Sequence, residues 1–265
     1  MELPDLELSL FMTSTPFKSD SVPASEQFWD RYTASAAIHP ANLYRYTLIA
    51  DLIAASDSRP ETIIDLGCGN GSLLAHFHSR HIGRNLFGVD GSAAIIADNR
   101  RRHPFAEFQV ADLQAPERVP AFPPADVVVC SEVIEHMPDY LPVFSIARAC
   151  LRPGGYFVLT TQGGKRRRHD VELLGHLRHY DIHALADEVA QAGFQIIRKQ
   201  QAGWPALNLQ KIAASLLMGR VAKELASHDQ PSLLFRIACQ LVGIGLALSS
   251  KHHGPQLVIL ARRKD

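Results

Sequence analysis

The 265-residue sequence predicts an α/β fold built on a doubly wound, mostly parallel sheet of seven strands. A strand-like segment leads directly into a glycine-rich turn and a helix-like segment at residues 62–77. Apolar segments then alternate with helical ones as far as residue 200, a pattern typical of parallel sheets covered on both faces. After a long helical segment, Gln256–Arg262 is most simply interpreted as a last strand, antiparallel and at or near the sheet edge.

The first 55 residues are expected to precede this sheet. Residues 1–24 are rich in Ser, Thr, Pro and Asp, which is typical of a flexible leader. Residues 25–32 (SEQFWDRY) place their aromatic side chains on one helical face, either for packing or as a lid over a ligand. With a second helix over 41–55, residues 25–55 would supply N-terminal helices to one domain that covers 25–265.

The first strand is predicted where Thr62, Ile63 and Ile64 favour β structure. Further strands are predicted at 85–90, 106–110, 126–130, 156–161 and 194–200. Helices are predicted between them at 93–102, 141–150 and 182–192. A helical insertion at about 204–250 then contains two helices, 206–226 and 233–250, separated by Asp-Gln-Pro.

The glycine-rich turn predicts a cofactor site. Gly67, Gly69 and Gly71 lack a Cβ, so the backbone can adopt positive φ and a ligand can lie against it. Turns at the carboxyl ends of parallel strands bind nucleotide-like cofactors. A nicotinamide or flavin site would instead have the spacing G-x-G-x-x-G, which holds a pyrophosphate. Asp65 before the turn would repel a diphosphate but attract an ammonium group, which favours a cofactor without phosphates.

A second acidic residue, Asp90, ends the strand predicted at 85–90. An acid at the end of the second strand, about twenty residues after the glycine turn, is placed to bind both hydroxyls of a ribose. The alternative is that Asp90 caps the helix predicted at 93–102. Together with the glycine turn, the ribose role is favoured.

Five segments resemble, in order and spacing, the motifs of class I S-adenosylmethionine-dependent methyltransferases. They are Asp65–Gly71 (DLGCGNG), Gly88–Ser92 (GVDGS), Val110–Leu113 (VADL), Ala125–Pro138 (ADVVVCSEVIEHMP) and Leu151–Thr161 (LRPGGYFVLTT). The resemblance spans residues 25 to 200, approximately. It implies a Rossmann-like fold, S-adenosyl-L-methionine as the cofactor, and methyl transfer as the reaction.

The resemblance also implies which residues bind the cofactor. Asp65 and the glycine turn would hold its methionine moiety, Asp90 its ribose and Asp112 its adenine. Residues 28–49 resemble part of the ubiquinone-biosynthesis O-methyltransferases, in which an arginine at the position of Arg45 meets the cofactor's carboxylate. A solvated charge is the alternative for this arginine. The full set is Arg45, Asp65, Gly67, Cys68, Gly69, Asp90, Gly91, Asp112, Leu113 and Ser131.

Histidines are the candidate general bases. Methyl transfer from a sulfonium is an in-line displacement, and a hydroxyl nucleophile is helped by a base, most often histidine. His136 follows the fourth predicted strand, at the end that faces the cofactor, and is the first candidate. His179 is the second, with His169 and His176 in the same loop after the fifth strand. Each could instead be an ordinary loop residue.

Glu132, Glu135 and His136 could also ligate a divalent ion. Their E-x-x-E-H pattern is similar to one in ubiquinone-biosynthesis O-methyltransferases and small-RNA 3′-end 2′-O-methyltransferases, where it is tied to metal. Many family members with S-E-V-I-E-H need none, and Glu135 could simply cap the next helix. No metal is therefore assigned.

The composition narrows the class of protein. Lys and Arg (27) balance Asp and Glu (27), so the chain as a whole has no electrostatic attraction for nucleic acid. No apolar run reaches the roughly 18 residues of a membrane span. The four cysteines follow no metal-ligand spacing and suit a reducing compartment, so a cytoplasmic location is expected. The basic run Lys165–Arg168 is either a solvated loop or a contact for an anionic group on the acceptor.

The predicted function is methyl transfer from S-adenosyl-L-methionine to a small-molecule acceptor, with oxygen favoured over nitrogen or carbon. Some apolar residues of the insertion either belong to the core or cover an apolar acceptor. They are Leu216, Leu217, Met218, Leu241 and Ile244. Two further functions stay open, a metal-assisted RNA 2′-O-methyltransferase and a non-catalytic cofactor-binding module. The sequence identifies neither the acceptor nor the oligomeric state.

Overall fold

A computed structural model describes residues 39–56, 59–115, 117, 120–217 and 232–264. The predicted leader (1–24) and the first predicted helix (25–32) lie outside these residues. The strands are β1 Thr62–Leu66, β2 Asn85–Asp90, β3 Glu107–Val110, β4 Ala125–Ser131, β5 Leu151–Gln162, β6 Phe194–Ala202 and β7 Gln256–Arg263. They form one sheet in the order β3-β2-β1-β4-β5-β7-β6.

The sheet is parallel from β3 to β5, and β7 is antiparallel to both of its neighbours, β5 and β6. The predicted doubly wound, mostly parallel α/β fold is therefore confirmed, including its antiparallel last strand. β7 lies one strand in from the edge, and β6 forms the edge itself. Because β7 is buried along Gln256–Ala261, it has the continuous apolar sequence of an interior strand.

The helices are α1 Pro40–Ala55, α2 Ser72–Ser79, α3 Ala93–Arg102, α4 Leu141–Cys150, α5 Arg168–Glu172, α6 Ile182–Gln191, α7 Ala206–Leu216 and α8 Leu233–Ala247. A short 3₁₀-helix, Ile134–His136, follows β4. The predicted insertion helices are both present. However, α7 ends at Leu216, and residues 218–231, which include Met218, lie outside the part of the chain that the structure describes.

Two apolar layers cover the sheet because successive residues of a strand point to opposite faces. In β4, Val128 and Cys130 belong to the cluster that contains α4 and α6. Val127 and Val129 belong to the other cluster, which contains α1 and α2. All four side chains are completely buried, so the central strands are apolar on both faces.

The insertion helices lie beside α1, on the second of these faces. α8 packs against α1 and α7, and α7 also contacts α5. Leu216, Leu217, Leu241 and Ile244 are all exposed, so their assignment to the core is wrong. Within the described ranges, no helix combines the length and the apolarity needed to cross a membrane.

The carboxyl ends of β1, β2 and β4 meet at one edge of the sheet. Leu66 pairs with Val89 of β2 on one side and with Cys130 of β4 on the other. The residues next to Leu66, Val89 and Cys130 in the chain therefore surround one space at the carboxyl ends of these strands. Asp65, Asp90 and Ser131 are among them.

Candidate active site

The turn after β1 holds its glycines in the left-handed region. The φ angle is +76° at Gly67, +49° at Gly69 and +74° at Gly71, where a side chain would be strained. A Cβ on Gly67 would lie 2.4 Å from Cγ2 of Val133, whereas a Cβ on Gly69 would meet no atom within 4 Å. The turn is therefore tightly packed at Gly67 and open at Gly69, where a ligand can approach the backbone.

Asp65 is buried at the end of β1 with an unsatisfied oxygen. It is 2% exposed, and its Oδ1 has no hydrogen-bond partner among the residues described. Burial and the nearby charge of Asp90 raise the pKa of Asp65 to about 7, with Arg45 acting in the opposite direction. Because a buried acceptor without a donor is costly, an incoming ammonium group would be bound favourably here.

Asp90 connects β2 to the glycine turn. Its Oδ2 accepts a hydrogen bond from Gly69 N at 3.0 Å, and its Oδ1 accepts one from Ser92 N at 2.9 Å. The cap of α3 is Ser92, whose Oγ accepts from Ile95 N, so the alternative that Asp90 caps this helix is wrong. Each carboxylate oxygen keeps a further lone pair that can accept from a hydroxyl.

The remaining residues predicted to bind the cofactor differ in exposure. Asp112 is exposed just after β3, and Leu113 beside it is buried in the core. The Cys68 thiol is buried against Gly88, so Cys68 borders the turn through its backbone. Gly91 is exposed, with open space where a Cβ would lie.

Arg45 joins α1 to the end of β4. Its Nε donates to Ser131 Oγ at 3.0 Å, its Nη2 donates to Asn42 Oδ1 at 3.1 Å, and its Nη1 lies 3.8 Å from Glu132 Oε2. The side chain is only 11% exposed. The alternative of a solvated surface charge is therefore wrong, because this guanidinium is buried at the same edge as the acids.

Glu132 has a left-handed backbone with φ of +57°, in the region that favours glycine. Its carboxylate accepts hydrogen bonds from Gln162 and, at 2.9 Å, from Gln256 Nε2. Burial raises the pKa of this carboxyl, but Arg45 and the two amides outweigh burial and hold the pKa below its ordinary value. Backbone strain of about 1–3 kcal/mol persists where the surroundings determine a position strongly, often at functional sites.

Three histidines form a contiguous group beside these acids. The rings of His136 and His176 meet edge to face, with centroids 4.9 Å apart. His176 Nδ1 lies 3.0 Å from His179 Nε2, and His179 Nδ1 lies 3.2 Å from Gly164 O. The structure therefore brings both predicted catalytic histidines into one group, with His176 between them.

A buried aspartate, Asp170, connects this histidine group to the insertion. Its carboxylate lies 3.1 Å from His169 Nε2, 3.8 Å from His179 Nε2 and 3.5 Å from Lys211 Nζ. His169 Nδ1 in turn lies 2.7 Å from Ser215 Oγ. Since Lys211 and Ser215 belong to α7, the insertion is anchored on the loop that carries the histidines.

Burial lowers the pKa of all three histidines in the group. At His136, burial outweighs the opposing effect of the Glu132 carboxylate. At His176, burial and the adjacent imidazole of His136 lower the pKa to about 3. At His179, burial and Lys211 act in the same direction. The group is therefore neutral at neutral pH, the state in which an imidazole can accept a proton.

Two sets of side chains could hold a divalent ion, since each offers three ligand atoms within 4.8 Å of one another. They are Glu135, His136 and His176, and Asp170, His176 and His179. Glu135 is completely buried, its Oε1 has no hydrogen-bond partner in the described ranges, and burial and Glu132 raise its pKa well above the ordinary value. Lys211 already places a positive charge beside Asp170. The set that contains Glu135 therefore fits a metal better.

The basic run 165–168 is partly used within the protein. Arg166 Nη1 donates to His176 O at 3.1 Å, and Arg168 Nε donates to Glu172 Oε1 at 2.7 Å along α5. Arg166 thus holds the histidine loop, whereas the Arg168 pair is exposed at the surface. The bond of Arg166 weakens the interpretation of the run as a contact for an anionic acceptor.

A family model described as a methyltransferase domain matches residues 41–199, more than half of the chain. The match covers the glycine turn, the acidic strand ends and the histidine loop. The chain belongs to the class I S-adenosylmethionine-dependent methyltransferases, a family whose cofactor is S-adenosyl-L-methionine. The predicted family, enzyme class and cofactor are therefore confirmed.

Curated relatives include the ubiquinone biosynthesis O-methyltransferase of Alkalilimnicola ehrlichii, which is 28% identical over 158 residues. The alignment covers 57% of this chain and 61% of that protein. The chain thus spans less than two thirds of the length of the curated relatives it matches.

Among solved structures, phosphoethanolamine N-methyltransferase 2 of Haemonchus contortus, in complex with S-adenosyl-L-methionine, has a TM-score of 0.60 at 18% identity, covering 94% of this chain and 62% of that chain. The [4+2]-cyclase SpnF has a TM-score of 0.57 at 15% identity, covering 84% and 82%. At such identities the likeness shows the fold, and because a cyclase shares this fold, the fold alone does not determine the reaction.

Sequence reasoning did not find four residues of the site, Gln162, Gln256, Asp170 and Lys211. The two glutamines lie at the ends of strands whose central segments, 157–159 and 257–260, are apolar, and this contrast was the available signal for them. Asp170 follows the candidate His169 directly. Lys211 has no local signal, because its partner lies 41 residues earlier in another element.

Proposed function

We propose that this methyltransferase transfers the methyl group of its cofactor to a hydroxyl oxygen of a small, apolar acceptor. The neutral group of His136, His176 and His179 carries the proposal. A hydroxyl becomes a strong nucleophile when a base removes its proton, whereas a neutral amine can attack without such a base. The O-methyltransferase names of the curated relatives support oxygen as the nucleophile.

The residues at the strand edge fit the cofactor chemically. The bound cofactor supplies a methyl group activated by a positively charged sulfonium. Asp65, through its unsatisfied Oδ1, would accept from the methionine ammonium group, and Arg45 would donate to the methionine carboxylate. Asp90 would accept from both ribose hydroxyls through its remaining lone pairs. The acidic surroundings match a ligand that carries net positive charge.

The remaining predicted contacts complete this arrangement. Asp112 would accept from the adenine amino group, with Leu113 and Gly91 beside the ring system. Ser131 and the backbone of residues 67–69, including Cys68, would border the methionine moiety. The open space over Gly69 supports this placement.

His136 would act as the general base, and His179 would position it indirectly. His179 bonds with Gly164 O and His176, and the His176 ring packs against His136. The acceptor hydroxyl would lose its proton to the neutral imidazole of His136.

Apolar side chains near the histidine loop support an apolar acceptor. Lys211 and Ser215 anchor α7 on this loop, and the exposed Leu216 and Leu217 follow immediately. We also propose a cytoplasmic location, for which the buried, free thiols of Cys68, Cys130 and Cys150 are the supporting observation.

The test compares His136→Gln with His183→Gln, a matched change of an exposed histidine on α6. Formation of S-adenosylhomocysteine is measured with prenylated catechols, prenylated anilines and aliphatic amines as acceptors. We expect catechols to be preferred and His136→Gln to lower kcat about 100-fold or more, while His183→Gln leaves it unchanged. Calorimetry should show that both variants bind the cofactor like the wild type. Preference for amines, or full activity of His136→Gln, would contradict the proposal.

A metal-assisted reaction is the second candidate, favoured by the unsatisfied Oε1 of Glu135 close to His136 and His176. These three residues would hold the ion, which would act as a Lewis acid toward the acceptor hydroxyl. Loss of activity with a chelator, restored by a divalent ion in the wild type but not in Glu135→Gln, would establish it. Chelator-resistant turnover would exclude it.

An RNA acceptor and a non-catalytic role both have less support. An RNA acceptor would use the basic run 165–168, but Arg166 is bonded to the backbone of the histidine loop. A short single-stranded RNA belongs in the acceptor panel to test this possibility. A non-catalytic module would bind the cofactor but methylate no acceptor in the panel.

A further inference from the structure

The insertion carries most of the exposed apolar surface of the described residues. Ten of their seventeen exposed large apolar side chains lie on α7 and α8 or directly after them. We call these ten the insertion surface. They are Leu209, Ile212, Leu216, Leu217, Leu233, Leu234, Ile237, Leu241, Ile244 and Leu248.

α8 is exposed around most of its circumference. Leu234 is 81% exposed and Leu241 is 64% exposed, whereas Leu246 is the buried residue of the helix. The fifteen residues of α8 include one charged side chain, Arg236. A helix at the surface of a water-exposed domain normally has one polar face, so α8 is built for contact with an apolar environment.

The charge of the insertion indicates what that environment is. Residues 206–253 contain five Lys or Arg against two Asp or Glu, in a chain that is balanced as a whole. The parts of this stretch that the structure describes, 206–217 and 232–253, have no acidic residue, and their basic residues are Lys211, Arg236 and Lys251. Lys211 and Lys251 pair with Asp170 and Asp51, whereas Arg236 is exposed on α8. An apolar helix that has an exposed cation and no acidic residue complements a bilayer surface with anionic headgroups.

We propose that the insertion surface docks on an anionic membrane, with α7 and α8 lying in the headgroup region rather than crossing the bilayer. This inference rests on the proposed apolar acceptor, which would be taken from the membrane. α7 connects the insertion surface directly to the histidine loop. Its Lys211 and Ser215 contact that loop. Its Leu209, Ile212 and Leu216 belong to the insertion surface. An acceptor in the bilayer would thus lie next to the elements that hold His136.

The test is flotation of the full chain with phosphatidylcholine vesicles and with vesicles that contain about one third phosphatidylglycerol. We expect flotation with the anionic vesicles, weakened by about 0.5 M salt because the charge of Arg236 is exposed. The double variant Leu234→Gln/Leu241→Gln should lower the partition coefficient about tenfold or more. The control Leu141→Gln, at a 54% exposed leucine on α4 across the sheet, should float like the wild type. Thermal melting establishes that each variant is folded.

Several outcomes would overturn the docking proposal. Wild-type protein that does not float, or a double variant that floats equally well, would do so. The wild type could instead be a dimer by light scattering that does not float and that the double substitution dissociates. That result would show that a second copy of the chain covers the insertion surface. Methyl transfer to a water-soluble catechol separates the two proposals. Transfer without flotation overturns membrane docking, whereas flotation with transfer to amines only overturns the proposed oxygen specificity.

Discussion

The cofactor edge and the histidine group lie at the same end of the sheet but are assembled differently. At the cofactor edge, Asp65 is the penultimate residue of β1, Asp90 is the last residue of β2, and the glycine turn follows β1 directly. The histidine group instead combines His136 with residues of the 164–181 loop and with Lys211 of the insertion. The cofactor edge is therefore a property of local segments, and the histidine group is a property of how distant segments pack.

The two regions also differ in the state that burial imposes on them. Burial raises the pKa of Asp65 and leaves one of its oxygens without a donor, so this edge is completed by a cationic ligand. Burial lowers the pKa of His136 and His176, so the histidine group is neutral and can accept a proton. One region is thus suited to binding and the other to proton transfer.

The largest expected effect comes from the tightest point of the cofactor edge. Gly67→Ala should lower the free energy of unfolding by about 2–5 kcal/mol, because left-handed strain adds to overpacking against Val133. Urea denaturation measures this loss. Gly243→Ala is the control, since its Cβ would lie 3.9 Å from that of Pro40. This helical change should be neutral or stabilise by about 1 kcal/mol. Equal stability of both variants would show that the turn relaxes freely.

The next effect separates binding from stability at Asp65. Its pKa of about 7 in the folded state lies above the ordinary 3.8. The native state therefore binds more protons between these values, and the free energy of unfolding should fall as pH rises through them, by on the order of 4 kcal/mol. Asp65→Asn should remove this slope and be more stable than the wild type at pH of about 8, while weakening cofactor binding about tenfold or more. Chemical denaturation across pH and calorimetry measure the two effects. An unchanged slope would show that Asp65 is not the group responsible.

The smallest effect concerns the anchor between the insertion and the histidine loop. Lys211→Met should lower the free energy of unfolding by about 1–3 kcal/mol, because the buried Asp170 loses a cation. Lys251→Met removes a similar pair with Asp51, but both partners are at least half exposed, so the change should stay below about 0.5 kcal/mol. Urea denaturation compares the two variants. Equal effects would mean that the anchor contributes no more than a surface ion pair.

Much of the fold could be predicted because alternating strands and helices leave periodic local patterns. The positions of β6 at the edge and β7 inside it were less accessible from the sequence, since they depend on how β7 returns to the sheet between β5 and β6. At Asp90 the competing helix-cap interpretation was wrong because Ser92, two residues later, supplies the cap. For the insertion, helical spacing predicted the helices but not that their apolar residues would be exposed.

From its sequence alone, this protein could be assigned a glycine turn with positive φ, acids at two strand ends and a cofactor without phosphates. These features depend on residues close together in the chain, whose backbone preferences and charges act locally. Tertiary structure decided that Glu132 is strained and held by Gln256, 124 residues away, and that Lys211 lies beside Asp170. Such contacts form only when whole elements dock, so no local pattern of residues contains them.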